Sequence, residues 1–293
     1  MKIIKYLIIG NPTAGKGKFN KILPIIKSAF ENKNIKYEIK KTVSKGHAGE
    51  LAREGIQKGF THIISVGGDG TSSEIINSIY GKDITFGVIP VGSGNDFSKA
   101  AGIPSDPMKA VDNIIEGKAI QCDIAMLGER TFINGFGVGL DGGVANLFKY
   151  FRFLGPFLGY LLGAVIQSFY FKGFKVEATG KDFEYKNKTL LCGSSNGSTQ
   201  GGISLAPDAK INDGFLDFHF ISDMNPLKRL ITLSKALKAE HTDMNEVNIV
   251  KLKNMKLKIF RDLPAHMDGE TFTLKSGVHE IVILENSIKV IVP

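Results

Sequence analysis

The first part of the chain alternates short apolar runs with longer stretches of helical period. Residues 3–9 are almost continuously apolar and stop at Gly10-Asn11-Pro12. A run of that length closed by turn residues reads as a strand buried on both faces. Helical spacing follows at Ile22, Ile25, Ile26 and Ala29. Further strands are predicted over residues 35–39, 61–64 and 86–89, with a helix over 48–58 and another carrying Glu74, Ile75, Ile76 and Ile79. Strands alternating with helices in this way build a doubly wound α/β domain around a parallel sheet.

The texture changes near Gln121. Residues 122–127 and 131–134 pattern as a hairpin around Gly128-Glu129-Arg130, and strand-like runs recur at 174–179, 185–192, 215–221, 255–260 and 270–274. Residues 255–260 alternate apolar and charged side chains, as a strand with one wet face does. The second part therefore reads as antiparallel and β-rich. One stretch interrupts it: residues 153–171 carry no charge and are flanked by Lys149, Arg152, Lys172 and Lys175. Its length allows a short membrane span. Its glycines, Pro156, Gln167 and Ser168, and the globular pattern on both sides, favour a buried or interfacial helix.

At 293 residues the chain is long enough for two domains. Its net charge of +8 calls for an acidic partner, such as a nucleotide or an anionic membrane surface. Nucleic acid is disfavoured, because the basic residues are spread out and no binding module stands out. Two cysteines exclude a disulfide framework and fit a reducing cytosol; the six histidines lack metal-ligand spacing. The N-terminal residues lack a signal-peptide cleavage pattern.

The candidate chemistry sits where predicted strands end. Gly67-Gly68-Asp69-Gly70-Thr71 joins a strand to a helix, Gly92-Ser93-Gly94-Asn95-Asp96-Phe97 follows another strand, and residues 10–17 nearly spell a P-loop but place Gly17 where that motif needs a hydroxyl. Glycines let backbone approach a ligand, and a helix N-terminus favours phosphate. A carboxylate at such a place, Asp69, reads either as the partner of a divalent cation beside the phosphate or as the cap of a tight strand-to-helix turn. Lys16 reads either as a phosphate ligand or as a solvent-facing lysine.

Taken together, Asn11-Pro12-Thr13-Ala14-Gly15, Thr42 with Gly46-His47-Ala48, the two loops above, Asn134-Gly135 with Gly137 and Gly139, Pro207-Asp208-Ala209, Asp213-Gly214-Phe215-Leu216 and Asp268-Gly269-Glu270 resemble the diacylglycerol kinase catalytic-domain family in its bacterial soluble form. The resemblance covers nearly the whole chain. Gly-Gly-Asp-Gly-Thr alone is shared with NAD kinases and sphingosine kinases, but the full order of motifs is more specific. It implies a nucleotide-binding α/β domain over residues 1–122, an antiparallel β-sandwich over 123–283, and a C-terminal strand, 284–293, returning to the first domain beside residues 3–9.

The resemblance also implies ATP and Mg²⁺ as cofactors. Asn11, Thr42, Gly67, Gly68, Asp69, Gly70, Thr71, Ser72, Ser73 and Ser93 would line the nucleotide site. Lys210 and Phe215, through their carbonyls, and Asp213 would hold a structural Mg²⁺. Glu270 would accept the proton, and Asp69, Asp96 and Asp123 would form a carboxylate and water network around a catalytic Mg²⁺. Read without the family, Glu270 is equally an exposed hairpin residue, Asp213 a turn residue and Asp123 a satisfied polar group. Ser73 departs from the family's usual Asn, and Ser93 from its frequent Thr. The implied activity is phosphorylation of a lipid hydroxyl, diacylglycerol first, with phosphatidylglycerol, a sphingoid base or NAD as other acceptors and a non-catalytic lipid or nucleotide sensor as the alternative class. The implied partners are a membrane lipid and an anionic membrane surface, reached peripherally from the cytoplasm; a homodimer stays open.

Overall fold

The computed structural model describes residues 4–293, apart from the side chains of Lys16, Arg152 and Pro156. Ile3, expected to open the first strand, and the Lys16 side chain lie outside the described residues. The chain divides into two compact units, Met1–Asp123 with Glu285–Pro293, and Ile124–Leu284.

In the first unit the elements run β1 (Tyr6–Gly10), α1 (Lys18–Asn32), β2 (Tyr37–Lys41), α2 (His47–Gln57), β3 (His62–Gly67), α3 (Asp69–Ile79), β4 (Thr85–Pro90), α4 (Asp96–Ala100) and α5 (Pro107–Glu116). The strands are parallel in the order β2-β1-β3-β4, and Lys289 and Val290 add the returning end of the chain beside β4. That end therefore joins the sheet on the far side from β1, not next to it. All of β1 is buried, as is nearly all of β3 and β4, which explains their unbroken apolar character; β2, at the edge, is only half-buried. The chain steps one way from β1 to β2 and the other way from β2 to β3 and β4. Right-handed crossovers then put α1 on one face and α2 and α3 on the opposite one, and α1 packs with α5 while α2 packs with α3. The reversal falls between β1 and β3. Loops leaving their carboxyl ends diverge there, which opens the crevice where such folds take ligands.

The second unit takes over within β5 (Lys118–Leu127), which turns through Gly128-Glu129 into β6 (Arg130–Phe132). There follow β7 (Gly135–Gly139), α6 (Leu140–Phe151), α7 (Pro156–Tyr170), β8 (Phe174–Gly180), β9 (Phe183–Ser195), β10 (Leu216–Ser222), α8 (Pro226–Ala236), β11 (Val247–Leu252), β12 (Asn254–Ile259), β13 (Leu263–Met267), β14 (Glu270–Leu274) and β15 (Gly277–Val292), whose end is the returning strand. Pairing is antiparallel along β14-β13-β7-β9-β8-β12-β15, and β10 joins β9 to β11. Met255, Leu257 and Ile259 from β12 share one core with Leu263, Ala265 and Met267 from β13, although many strands separate them in the path. Strands distant along a sheet meet in one core only when the sheet closes over on itself, so this is a sandwich.

Two elements differ from the sequence expectation. β7, Gly-Phe-Gly-Val-Gly, has the wrong composition for a strand. Its glycines leave room for a buried polar cluster: a Cβ on Gly137 would lie 2.0 Å from the Asp141 carboxylate. The apolar stretch is not one continuous helix, and it keeps the one buried and one exposed side of the interfacial alternative. It breaks at Gly155, where φ is +86°, and α7 exposes Phe157, Leu158 and Phe169. Among the described residues no helix is long and apolar enough to cross a membrane.

Candidate active site

Four loops leave the carboxyl edge of the first unit's sheet and are tied together by backbone. Asn11 N–H donates to Val66 O (3.0 Å), Thr42 N–H to Gly10 O (2.9 Å), and Val91 and Gly92 N–H to Gly67 O (3.0 and 3.2 Å). The glycines make this contact possible. A Cβ on Gly92 would lie 2.4 Å from the Gly68 Cα, and one on Gly15, where φ is +57°, would lie 1.9 Å from Val91 O. The N-terminus of α3 opens into this cluster. Gly68 caps it without a side chain, so its first amides keep no intrahelical partner and offer donors to an anion.

Asp69 begins α3 but turns its carboxylate to the start of α4. Phe97 N–H donates to Oδ1 at 3.2 Å, and the amides of Asp96 and Asn95 contribute. Burial first, and the neighbouring charge of Asp96 second, raise the Asp69 pKa; the amides pull against them. Two adjacent carboxylates with little solvent are an oxygen donor set that suits a hard divalent cation. Asn95 sits at φ +55° and spends its Nδ2 on Gly92 O (3.0 Å), while its buried Oδ1 finds no partner. Sequence reading placed Asn95 in the motif without a role; its left-handed backbone and orphaned oxygen beside the Gly68–Gly92 contact mark it as a site residue.

The other expected nucleotide residues divide. Gly67, Gly68, Gly70 and Thr71 lie along the cluster, and Thr71 packs its side chain over Gly67. Ser93 is exposed in the loop after β4, and Thr42 is half-buried at the end of β2. Asn11 turns its Oδ1 back on Thr13 N–H (3.0 Å). Ser72 points away: it is buried, with its hydroxyl on Ser65 Oγ (3.2 Å), so only its backbone can face a ligand. Ser73 is capped by Asn77, whose Nδ2 donates to Ser73 O (2.8 Å). Glu74 was legible only as a helical position. Its carboxylate accepts from Gly46 N–H (2.8 Å) and Ala48 N–H (3.1 Å), which fixes the Gly46-His47-Ala48 turn to α3. Asp123 is buried and accepts from Asn286 N–H at 2.8 Å.

In the second unit, Asp268 and Gly269 form the turn between β13 and β14 with φ of +48° and +81°, the backbone of a tight hairpin turn. The Asp268 carboxylate accepts from the amides of Ile133, Asn134 and Gly135 at 2.9, 2.9 and 3.0 Å. This anchored turn presents the exposed Glu270 as the first residue of β14. Below it, His266 Nε2 lies 2.9 Å from Asp141 Oδ2. Burial opposes a charge on His266, but the Asp141 charge and hydrogen bond outweigh it and hold the His266 pKa above its ordinary value. Burial likewise works against the Asp141 charge, and His266 overcomes it to keep the Asp141 pKa low. Burial holds neighbouring His219 neutral, pushed down to about 4.

The expected metal donors lie in the turn before β10. Asp213 Oδ1 accepts from Phe215 N–H (3.1 Å) and Oδ2 from Lys251 Nζ (2.7 Å), so the chain engages both oxygens. Burial pushes the Asp217 pKa up to about 6 against the pull of Lys251. The donor chemistry suits a hard cation, but an ammonium already stands at it. Among the described residues no group of three or more His, Cys, Asp or Glu side chains gathers as a metal site.

The chain was compared with known proteins. Residues 5–127 match the model of the diacylglycerol kinase catalytic domain, and residues 135–291 match that of the YegS C-terminal NAD kinase beta sandwich-like domain. The diacylglycerol kinase of Bacillus subtilis (strain 168) is 33% identical over 294 residues, covering 98% of this chain and 95% of its own. That of Staphylococcus carnosus (strain TM300) is 32% identical over 271 residues, 90% of this chain and 87% of its own. A crystal structure of a candidate diacylglycerol kinase from Bacillus anthracis str. Sterne superposes with a TM-score of 0.84 at 26% identity, covering 100% of this chain and 98% of that one.

Two predictions follow from the geometry. Gly92→Ala forces backbone apart and is expected to cost about 1–3 kcal/mol in urea unfolding; an unchanged midpoint would show that the loops are not in contact. The Asp141–His266 pair stabilises the fold where Asp is ionised and His protonated, roughly between pH 4 and 6.5 by ordinary values. The aspartate contribution fades as pH falls through its lowered folded pKa, and the histidine contribution as pH rises through its raised one. His266→Asn should therefore lose most thermal stability relative to wild type inside that window; a pH-independent difference would refute the charged pair.

Proposed function

The chain belongs to the diacylglycerol kinase catalytic-domain family and is a lipid kinase; we propose that it transfers the γ-phosphoryl group of Mg²⁺-bound ATP to the hydroxyl of diacylglycerol. The observation that carries the nucleotide half is the glycine-packed loop cluster at the switch point, with the open α3 N-terminus and the Asp69–Asp96 pair beside it. Asp69 and Asp96 would hold the ion that accompanies the nucleotide, and that ion would neutralise charge on the transferring phosphoryl group. The α3 amides bind and orient phosphate. Glu270 takes the proton of the lipid hydroxyl as its oxygen bonds to the γ-phosphorus and the bond to the bridging oxygen breaks, releasing ADP. The exposed carboxylate on an anchored turn suits that task.

A lipid acceptor is favoured over NAD by the second unit's helices. An apolar cavity of about 70 Å³ lies among α6, α7, α8 and the sheet, lined by Leu140, Val144, Tyr160, Ala164 and Leu191, with Asp141, Gln200 and Arg229 among its polar walls. Its apolar walls suit a short hydrocarbon segment better than a nucleotide. On α7's other side and the preceding turn, Phe153, Phe157, Leu158 and Phe169 are exposed, at 75%, 51%, 54% and 55%. Residues 142–176 carry four cations and no anion. An apolar patch with a basic rim fits peripheral docking on an anionic bilayer from the cytoplasm. The NAD kinase-like description of the matched sandwich keeps NAD as the second acceptor to test.

The deciding experiment is transfer of labelled phosphate from ATP to a lipid panel in mixed micelles, and to NAD, with Mg²⁺ or chelator. Mg²⁺-dependent label in diacylglycerol is expected, and label in NAD alone would overturn the proposal. In the same assay Glu270→Gln should lower turnover by about 10²–10⁴-fold, and Asp69→Asn comparably in protein shown to be folded; near-wild-type rates would remove either residue from the mechanism. Phe153→Ser with Phe157→Ser should weaken sedimentation with phosphatidylglycerol vesicles by roughly tenfold or more. Unchanged binding would place the docking face elsewhere.

A further inference from the structure

The turn before β10 holds Asp208 and Asp213, Asp217 follows as the second residue of β10, and one side chain reaches the Asp208 carbonyl and both other carboxylates. Lys251 is the direct cross-strand partner of Asp217 in the β10–β11 pair. Its Nζ lies 2.7 Å from Asp213 Oδ2, 3.4 Å from Asp208 O and 3.6 Å from Asp217 Oδ2. Asp217 is 3% exposed, and that oxygen is buried with no hydrogen bond of its own. It needs a cation more than any other group in the turn. Lys253, two residues on, sits over the Phe215 ring at 5.7 Å, so a second positive charge borders the same turn. Three oxygens from a turn and a strand, converging on one point, describe the donor set of a hard cation. Here that point holds an ammonium.

We propose that the Lys251 ammonium is the resident cation of this turn and stands in for a structural divalent ion, so that the second unit folds without metal there. A compact point charge on a flexible stem, with donors for several oxygens, can take this role where the geometry is set by neighbouring backbone. The stem anchors on β11, opposite the most deeply buried acid, so the charge arrives with the fold and needs no exchange with solvent. The inference does not depend on the kinase reading, since it concerns nucleotide-free protein and its stability.

The test is thermal unfolding of the full chain without nucleotide, in excess EDTA and in millimolar Mg²⁺, with native mass spectrometry to count bound ions. Wild type should carry no Mg²⁺ at this turn, and its midpoint should be the same in both buffers within about 1 °C. Lys251→Met in EDTA should lose about 4 °C or more, and Mg²⁺ should restore at least half, because the vacated place then takes the ion. Lys251→Arg should stay metal-independent. A wild-type midpoint that drops in EDTA, or a retained Mg²⁺ that Asp213→Asn removes, would overturn the proposal. So would a Lys251→Met protein as stable in EDTA as wild type, or one that Mg²⁺ fails to rescue. If Lys251→Met does not fold, the wild-type and Asp213→Asn measurements decide alone.

Discussion

The first unit depends on one close approach, the Gly68 backbone lying directly against Gly92. Sheet topology brings β1 and β3 side by side and makes the chain leave them in opposite directions. Topology alone would leave separate loops. The loops become one surface because side chains are absent where backbones meet, at Gly15 on Val91 as well as at Gly68 on Gly92. Once joined, they let Asp69 of one loop cap the helix that follows another. The α3 N-terminus then keeps its amides for a ligand.

Buried charge is handled in three ways, each read from the immediate partners. Asp268 spreads its charge over three backbone amides, which costs no second ionised group. Asp141 keeps its charge by charging His266, and the glycines of β7 make the room. Asp217 has neither solution and rests on a lysine across the ladder. Removing one partner of such a pair leaves an uncompensated buried charge, which is strongly destabilising.

Much of this architecture was legible from period and punctuation. The unbroken apolar runs are central parallel strands, and residues 270–274 were bounded to the residue as β14. The strand over 35–39 forms two residues later, as Tyr37–Lys41, because an edge strand needs no apolar run to fix its register. β7 was not readable as a strand, since its glycines answer to side chains far along the sequence. The motif loops raised the expectation of a phosphate site, but not that Ser72 turns inward to Ser65, that Asn95 carries an orphaned oxygen, or that Glu74 reaches Gly46. Each is a tertiary partnership with no local signature. The metal role of Asp213 came only from the resemblance, since its residues read equally as a turn; Lys251, which reaches its carboxylate from 38 residues further on, leaves no mark on that motif.

The two acidic clusters have opposite answers, and the difference follows from what each must do. At Asp69 the chain supplies amides, and Lys99 stands 3.5 Å from Asp96 on the same short helix with half of its side chain exposed. At Asp213 it supplies an ammonium tied to a strand. A tethered cation cannot leave with a product. It suits a position that holds one arrangement for the life of the fold, and it would hinder one that takes up and releases phosphate at every turnover. An ion that arrives with its nucleotide and departs with it meets the second need. The placement of Lys251 at the turn and of backbone amides at the loops is thus the division of labour that the proposed phosphotransfer calls for.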